Sequence, residues 1–551
     1  MIRTAILFTA IALGSLAARA QTAPASGAFT ISGVVRSATT GAPLDRAQVT
    51  LSTTGSDETQ VAETLTGEGG AFRFDHLAAG KYALAAFRRG YIGARYEEHA
   101  GGYSTAIVTG DGLVSQGLSL NLFPPAVMDG SITDDNGDAA GDARVTLYRQ
   151  QQQDGQSKVV TVDAETTDDD GTYEFDRLDA GTYYIGVSAE PWYAFHPPQR
   201  SASDGTPLPL DQQPHSRLDV AYPVTFYANA TDSGSATPIQ IHAGDHSKLD
   251  MTLHAVPAVH VAIQMPKTDS RQIPPIPQLE REVFGDDGGG GEQFQASGQT
   301  SIRTVDGQTL VDIGGIAPGH YTLRDFGENG ASRSTALDLS TDQTVDLGAA
   351  GNAVDVSGRL EMASGAALPP VTMLLLKPGG GGSSVSASTA ADGSFDLHGV
   401  PPGDFTVQVN SSSGPLDILQ MAASGAQLHG HRITVGSDPV LLAAELSHGS
   451  VSVSGFARRD GRGIGGALVL LVPDHPQDNG DLFRLDQSDS DGSFTLSRVV
   501  PGDYTLVAIE NGWSLEWSHP AEIASYVARG VKLHITDQPA NLDLPSPVAV
   551  Q

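Results

Sequence analysis

Apolar and polar residues alternate in a short motif that recurs five times along the chain. Its order is glycine, aromatic, apolar, apolar, glycine, aromatic, apolar, at offsets 0, 2, 4, 7, 10, 12 and 14 from the first glycine. Four copies begin at Gly70, Gly171, Gly393 and Gly492. A fifth, degenerate copy spans residues 309–323, with Thr309 in place of the first glycine. Successive side chains of a strand point to opposite faces, so the motif predicts two half-buried strands joined by a turn at the second glycine.

A second recurring element precedes the motif and predicts two further strands. It is clearest in residues 33–51, and related runs occur over residues 130–147, 358–375 and 455–471. The first strands that we predict here are residues 29–36, 127–132, 354–360 and 451–458. Apolar alternation at residues 118–122, 249–253 and 337–339 predicts a closing strand for several units.

Short strands, frequent Gly and Pro turns and no sustained 3.6-residue period indicate an all-β fold. We expect each unit to be a small antiparallel β-sandwich.

The length of 551 residues is too great for a single core, which agrees with a tandem array of about five domains. The repeated motif sets the boundaries that we predict, and we call the units modules. They are module 1 (27–122), module 2 (123–257, with an insertion at 189–227), module 3 (258–350, degenerate), module 4 (351–447) and module 5 (448–551). Module 3 contains Pro274–Pro277 and the glycine run 288–291, for which we predict a mobile loop.

The run from Gly41 to Leu51 and the Gly-x-Phe-x-Phe-x-x-Leu-x-x-Gly-x-Tyr-x-Leu run from Gly70 resemble the carboxypeptidase regulatory-like domain. This resemblance implies a transthyretin-like, immunoglobulin-like sandwich of seven strands. It is strong in the first two and last two modules and weak in module 3. In zinc carboxypeptidases the domain accompanies a separate catalytic domain, and relatives occur as surface, adhesion and glycan-associated modules. A shared fold does not carry an activity with it.

The first twenty residues predict export. Arg3, the apolar run from Ala5 to Leu16 and the small residues around Arg19 have the order of a signal peptide cleaved before Gln21. The apolar run is too short to span a bilayer, so we expect no membrane insertion and a periplasmic or extracellular location.

With no cysteine, the modules must be held by burial and backbone pairing. A net charge of −32 makes nucleic acid a poor partner.

Candidate metal ligands do not form a convincing set in the sequence. The pair His519 and Glu522 has no suitable third ligand. His429 and His431 are expected to be two neighbouring residues of a loop that bind no metal, because no carboxylate or third histidine is close in sequence. The acidic runs before Gly171 and Gly492 lack the spacing of an EF-hand, which favours turn chemistry and leaves open a weak calcium site between facing loops. We therefore predict no catalytic centre, no metal site and no cofactor.

Large aromatic residues follow the motif tyrosine by nine positions in three modules. They are Tyr91, Trp192 and Trp513, with Tyr193 and Trp517 nearby. Aromatic faces in loops stack on sugars in glycan-binding sandwiches, so these five residues are candidate ligand-binding residues. The alternative is that they cap the open end of each sandwich core.

Two functional hypotheses follow. The first is a non-enzymatic exported scaffold or interaction protein, and the alternative is a carbohydrate-binding protein that uses the loop aromatics. The corresponding partners are an envelope protein and a polysaccharide. An enzyme remains open only if residues far apart in sequence converge in space.

Overall fold

The computed structural model describes residues 27–551 apart from a set of short segments. The segments left out are 56–57, 198–207, 209–215, 266–275, 285–291, 296–298, 306–307, 327–331, 348–353, 379–383, 450 and 537–539. The predicted signal peptide, Pro274, Pro275 and the glycine run 288–291 lie outside the described residues.

The all-β fold predicted from the sequence is confirmed. In the described part of the chain, the single α-helix is α1 (Pro520–Val527), and short 3-10 turns lie at Glu68–Gly70, Ala100–Gly102, Ser233–Ser235, Gly480–Leu482 and Gly512–Ser514.

Module 1 shows the arrangement of two facing sheets most simply. Its strands are β1 (Phe29–Ser37), β2 (Gln48–Thr53), β3 (Gln60–Leu65), β4 (Ala71–Leu77), β5 (Gly80–Phe87), β6 (Ala94–Arg95), β7 (Ile107–Thr109) and β8 (Gln116–Leu122). One sheet has the order β4-β1-β8, and the other has the order β3-β2-β5 with β6 and β7 both paired to β5. Strand β1 pairs antiparallel with β4 but parallel with β8. The closing strand is thus paired in parallel within a sandwich whose other strand pairs are antiparallel.

Module 2 repeats this plan with a longer hairpin. Its strands are β9 (Ala126–Thr133), β10 (Arg144–Gln153), β11 (Gln156–Thr166), β12 (Thr172–Leu178), β13 (Gly181–Ser188), β14 (Val220–Ala221), β15 (Thr225–Phe226), β16 (Ile239–Ile241), β17 (His246–Lys248), β18 (Met251–Thr252) and β19 (Val256–Pro257). The β10–β11 hairpin pairs from Arg144 with Thr166 out to Gln153 with Gln156. Its tip projects beyond the sheet and reaches module 5, as described below.

Module 3 pairs its first strand in the same way, antiparallel to β24 and parallel to β27. Its strands are β20 (Val259–Gln264), β21 (Gln278–Val283), β22 (Glu292–Gln295), β23 (Gln299–Val305), β24 (Gln308–Ile316), β25 (Gly319–Phe326), β26 (Ser332–Leu339) and β27 (Gln343–Asp346).

In its described residues, module 4 forms one continuous nine-stranded sheet. Its strands are β28 (Val354–Met362), β29 (Thr372–Pro378), β30 (Val385–Ser388), β31 (Ser394–Val400), β32 (Gly403–Ser411), β33 (Gly414–Ser424), β34 (Ala426–His429), β35 (Arg432–Val435) and β36 (Val440–Ser447). Strand β33 pairs with both β32 and β36, so it passes from one face of the sandwich to the other.

Module 5 has a second apolar layer outside its sandwich. Its strands are β37 (Val451–Arg459), β38 (Arg462–Gly463), β39 (Leu468–Pro473), β40 (Arg484–Gln487), β41 (Ser493–Val499), β42 (Gly502–Ile509), β43 (Val531–Ile535), β44 (Asn541–Asp543) and β45 (Val548–Ala549). All six residues of β39 are buried. The inner face packs in the sandwich core, and the outer face packs with Ile523 of α1. Burial on both faces explains why β39 is apolar throughout instead of alternating.

The motif residues form the centres of the hydrophobic cores. Five large clusters of buried residues occur in the described part of the chain, and each is drawn from the range predicted for one module, from the cluster around Ile31 to the cluster around Val453. That each module folds independently stays a prediction.

A left-handed residue at motif offset 6 was not foreseen from the sequence. His76, Arg177 and Arg498 have φ between 57° and 59° at this position, and glycine occupies it in the other two copies. In module 1 the pairing of β1 with β4 is irregular here, between Ile31 opposite Phe74 and Phe29 opposite Leu77. The first motif strand therefore contains a bulge before the turn that follows it.

Polar and aromatic contacts join modules 2 and 3. The carboxylate of Asp219 lies 2.7 Å from Nδ1 of the buried His196 and 2.8 Å from Nε2 of His260 in β20. Beside it, Phe284 of module 3 packs against Tyr148 and Phe226 of module 2, with ring centroids 5.0 and 5.4 Å apart.

Charged and polar side chains join modules 4 and 5. Asp417 of β33 pairs with Arg484 of β40 at 2.9 Å, and the buried His431 lies 2.7 Å from Asp481. Burial raises the pKa of Asp417, against the lowering effect of Arg484.

Candidate functional site: the aromatic loops and a clasp between modules

Tyr91 packs against its own module. It lies in the loop after β5, half-buried on the core of module 1, and the guanidinium of Arg88 sits 5.6 Å from its ring centroid. These are the contacts expected of a residue that caps the core.

Trp192 presents its indole to solvent. It follows β13 at the start of the module 2 insertion, is 82% exposed, and meets Tyr193 edge-on with centroids 5.6 Å apart. Phe195 is 56% exposed and its backbone N–H bonds to the carbonyl of Leu218 at 2.8 Å. Of the five predicted ligand residues, Trp192 alone is largely exposed, and the other four are half-buried.

Trp513 lies between two modules. Its indole stacks on the imidazole of His99 at 5.0 Å with an interplanar angle of 12°, and Tyr103 packs 5.1 Å away. The indole N–H donates to the carbonyl of Gly466 at 3.0 Å, which orients the ring within module 5. Since His99 and Tyr103 belong to module 1, Trp513 connects the last module to the first.

Polar groups surround this aromatic stack and cross the same interface. Lys81 Nζ lies 2.5 Å from Oδ2 of the buried Asp489, whose Oδ1 accepts the backbone N–H of Ala106 at 3.1 Å. The Gln487 side-chain amide donates to the carbonyl of Glu97 at 2.7 Å and to the hydroxyl of Thr105 at 2.8 Å.

Ser490, the residue after Asp489, adds hydrogen bonds to the backbone of module 1. The N–H of Ser490 donates to the carbonyl of Ala106 at 3.0 Å, and the hydroxyl of Ser490 accepts the N–H of Val108 at 2.8 Å. The surface of module 1 thus contacts module 5 through its backbone as well as its side chains.

Module 2 completes the interface with the tip of its β10–β11 hairpin. The hydroxyl of Ser518 donates to the carbonyl of Gly155 at 2.9 Å. A Cβ at Gly155 would lie 2.3 Å from the indole of Trp517, so only glycine allows the ring to rest on this turn. Trp517 also packs on Phe483, with centroids 5.2 Å apart.

We call this three-module interface the clasp. It comprises Lys81 and residues 97–108 of module 1, residues 152–155 of module 2, and residues 466, 486–490 and 513–518 of module 5.

The clasp places a carboxylate in a poorly solvated position. Burial, with a smaller contribution from the nearby Asp489, raises the pKa of Asp486 to about 6, although Asp486 accepts N–H bonds from Gln487 and Thr495 that lower it. Burial also raises the pKa of Tyr103, helped by the charge of Asp486.

The acidic motif turns differ between modules 2 and 5. Asp168 accepts the N–H and hydroxyl of Thr172, each at 2.8 Å, which is the predicted turn chemistry. Asp489 occupies the same offset from its motif glycine and accepts the hydroxyl of Ser493 at 3.3 Å. It also pairs with Lys81, a partner 408 residues away that no local signal indicates.

Two histidines of the candidate metal-ligand pairs contact carboxylates outside those pairs. His519 precedes α1 and lies 2.9 Å from Glu516, while His431 contacts Asp481 and His429 is exposed. Within the described ranges, no group of three or more His, Cys, Asp or Glu side chains is arranged to hold a metal ion. In the same part of the chain, no helix is both long and apolar enough to cross a bilayer.

Residues 30–108 match the family model of the carboxypeptidase regulatory-like domain. The resemblance drawn from the motifs is thereby confirmed for most of module 1. No curated protein matches the chain.

Similarities to solved structures are distant, and several of these structures are bacterial pilins. The Bacillus anthracis TIE protein is 12% identical with a TM-score of 0.17, and the match covers 58% of this chain and 50% of that one. The minor pilin GBS52 of Streptococcus agalactiae is 14% identical with a TM-score of 0.20, covering 44% of this chain and 100% of that one. The major pilin BcpA of Bacillus cereus is 11% identical with a TM-score of 0.12, covering 59% of this chain and 99% of that one.

Proposed function

We propose that the protein is an exported, non-enzymatic scaffold whose first, second and last modules are held together by the clasp. The observation that carries this proposal is the contact of Lys81 and His99 with Asp489 and Trp513, which joins the two ends of the described chain. The signal-peptide pattern of residues 1–20 supports export.

The chemistry of the clasp supports a lasting contact. It combines a stacked indole, a partly buried ion pair and several backbone hydrogen bonds, which together resemble the core of a specific interface. Modules 2 and 3 and modules 4 and 5 are joined by separate contacts, so closing the clasp converts a string of modules into a closed arrangement. A scaffold of this kind holds its exposed loops at fixed separations.

Small-angle scattering tests the closure. Lys81→Asp places two carboxylates face to face at Asp489, and we expect the radius of gyration and the maximum dimension to increase. The matched control is Lys248→Asp, because Lys248 is exposed and pairs with Asp250 inside module 2. Equal dimensions for both variants and the wild type would contradict the closed scaffold.

Carbohydrate binding is a second candidate function, favoured by the exposure of Trp192. An indole that is 82% exposed and supported edge-on by Tyr193 offers a flat apolar face of the kind on which sugar rings stack. The net charge of −32 favours neutral over anionic glycans.

Fluorescence titration with soluble β-1,3-glucan, a neutral polysaccharide, tests this candidate, with alginate as the anionic comparison. We expect the glucan to change the emission of the wild type and to leave Trp192→Ala unchanged, with Trp513→Phe as the matched tryptophan control. Identical responses from the wild type and Trp192→Ala would remove this candidate.

A further inference from the structure

The charged and aromatic contacts of the clasp join a surface built within module 1 to a surface built within module 5, and the hairpin tip of module 2 adds a separate contact to module 5. Lys81 lies on β5 and His99 in the loop after β6, both fixed by module 1. Asp489 lies between β40 and β41, and the bond from the Trp513 indole to the carbonyl of Gly466 fixes that ring within module 5. Because neither of the first two surfaces borrows a residue from the other, the same surfaces fit together when they come from two chains.

Opening the clasp would remove the contacts that Asp489 and Trp513 make with module 1. Asp489 is 9% exposed, and on opening its carboxylate would lose both Lys81 and the N–H of Ala106. Trp513 would lose the stacked His99. A carboxylate that loses its ammonium partner and an N–H donor, and an indole that loses its stacked ring, both favour renewed contact with a matching surface.

The contacts that join neighbouring modules use other residues. His260 and Asp219 link modules 2 and 3, and Arg484 and Asp417 link modules 4 and 5. An opened chain therefore keeps these pairs of modules together and carries both clasp surfaces.

We propose that a second copy of this chain occupies the opened clasp, so that two chains exchange their ends and form a domain-swapped dimer. This inference rests on the closed scaffold proposed above. A tethered partner has an effective concentration in the millimolar range, so the closed monomer dominates in dilute solution and exchange dominates when closure within one chain is blocked.

Charge reversal tests the exchange directly. Lys81→Asp and Asp489→Lys each place like charges across their own clasp. When the two variants are mixed, the introduced carboxylate of one chain meets the introduced ammonium of the other, and the native Lys81 and Asp489 meet at the second interface. We expect each variant alone to be an expanded monomer and the equimolar mixture to form a species of twice the monomer mass, measured by size exclusion with light scattering.

The double variant Lys81→Asp/Asp489→Lys is the matched control, because its reversed pair closes within one chain and restores a compact monomer. If the single variants are expanded but the mixture stays monomeric, the exchange is wrong and the closed scaffold stands. If the single variants are as compact as the wild type, the closed scaffold itself fails.

Two single-cysteine variants test the exchange even if Asp489→Lys does not fold. The chain has no cysteine, and the Ser490 hydroxyl lies 2.8 Å from the backbone N–H of Val108. After oxidation of mixed Val108→Cys and Ser490→Cys chains at high protein concentration, we expect mixed disulfide-linked dimers to exceed those formed with the exposed control Ser119→Cys in place of Val108→Cys. Equal yields from the two mixtures would overturn the exchange.

Discussion

The motif tyrosine makes a hydrogen bond that explains its recurrence. In modules 1, 2, 3 and 5 its hydroxyl donates to the carbonyl four residues earlier, at 2.7 to 3.1 Å, as Tyr504 does to Val500. Module 4 has Phe405 at this position and cannot make the bond. The hydroxyl therefore ties the start of the second motif strand to the turn before it, while the ring fills the core.

Tyr504 substitutions separate these two contributions. Tyr504→Phe should cost module 5 about 0.5–1.5 kcal/mol through loss of one hydrogen bond. Tyr504→Ala should cost roughly 3–5 kcal/mol, because it also deletes a buried aromatic ring. Calorimetry should show the last module's transition lowered, whereas Tyr82→Phe should lower that of module 1. Loss of the entire chain's structure in one step with Tyr504→Ala would contradict independent modules.

Asp486 should make the stability of module 5 depend on pH. Its pKa in the folded protein is about 6, above the ordinary value of 3.8, so the folded form binds more protons than the unfolded form between these values. The stability contributed by the protonated carboxyl is present in full below about pH 4 and is lost as the pH rises through about 6, with a size on the order of 3 kcal/mol.

Thermal unfolding between about pH 4 and pH 7 checks this expectation. Asp486→Asn should flatten the pH dependence of the module 5 transition, and the exposed Asp163→Asn in module 2 should leave it as in the wild type. A module 5 transition with the same slope in the wild type and Asp486→Asn would rule out this assignment.

Among the strands and turns, the first motif glycine is required for two separate reasons. Gly171 has φ of +73°, and a Cβ there would lie 2.5 Å from the carbonyl oxygen of Ile132 on the adjacent, paired strand β9. Gly492 is similar, with φ of +84° and a contact of 2.3 Å to the carbonyl oxygen of Ala457. The motif thus needs both a left-handed backbone and close approach of two strands.

Substituting two glycines of module 2 separates the cost of the left-handed backbone from the cost of the strand contact. Gly137 has φ of +83°, and a Cβ added there would meet no atom within 4 Å, so Gly137→Ala should cost about 1–2 kcal/mol from backbone strain alone. Gly171→Ala should cost more, because the β9–β12 pairing must also shift. Denaturant unfolding of both variants measures the difference, and equal losses would show that the strand contact is unimportant.

The strands were predictable because their signal lies within about fifteen residues, where alternation reports which side chains are buried. The predicted first strand of module 4 begins at Val354, and β28 begins there. The bulge at His76 was not predicted, because neither His nor Arg marks a left-handed residue as glycine does.

Across the complete chain, the three tryptophans should report the arrangement of modules. Trp192 is exposed, whereas Trp513 and Trp517 are half-buried in the clasp. We expect acrylamide to quench one component of the emission strongly, Trp192→Phe to remove that component, and Lys81→Asp to expose Trp513 to quenching. Uniform quenching of all three tryptophans in the wild type would contradict the clasp.

Residue order alone was enough to establish the all-β fold, the repeated motif and the family resemblance of module 1, since each depends on local alternation of buried and exposed positions. It also identified Trp192, Trp513 and Trp517 as aromatics in loops. The three-dimensional arrangement was needed to learn that Trp192 faces solvent while the other two lie between modules. That outcome depends on how the modules are oriented, which brings Lys81 against Asp489 across 408 residues, and no local pattern of residues encodes such an orientation.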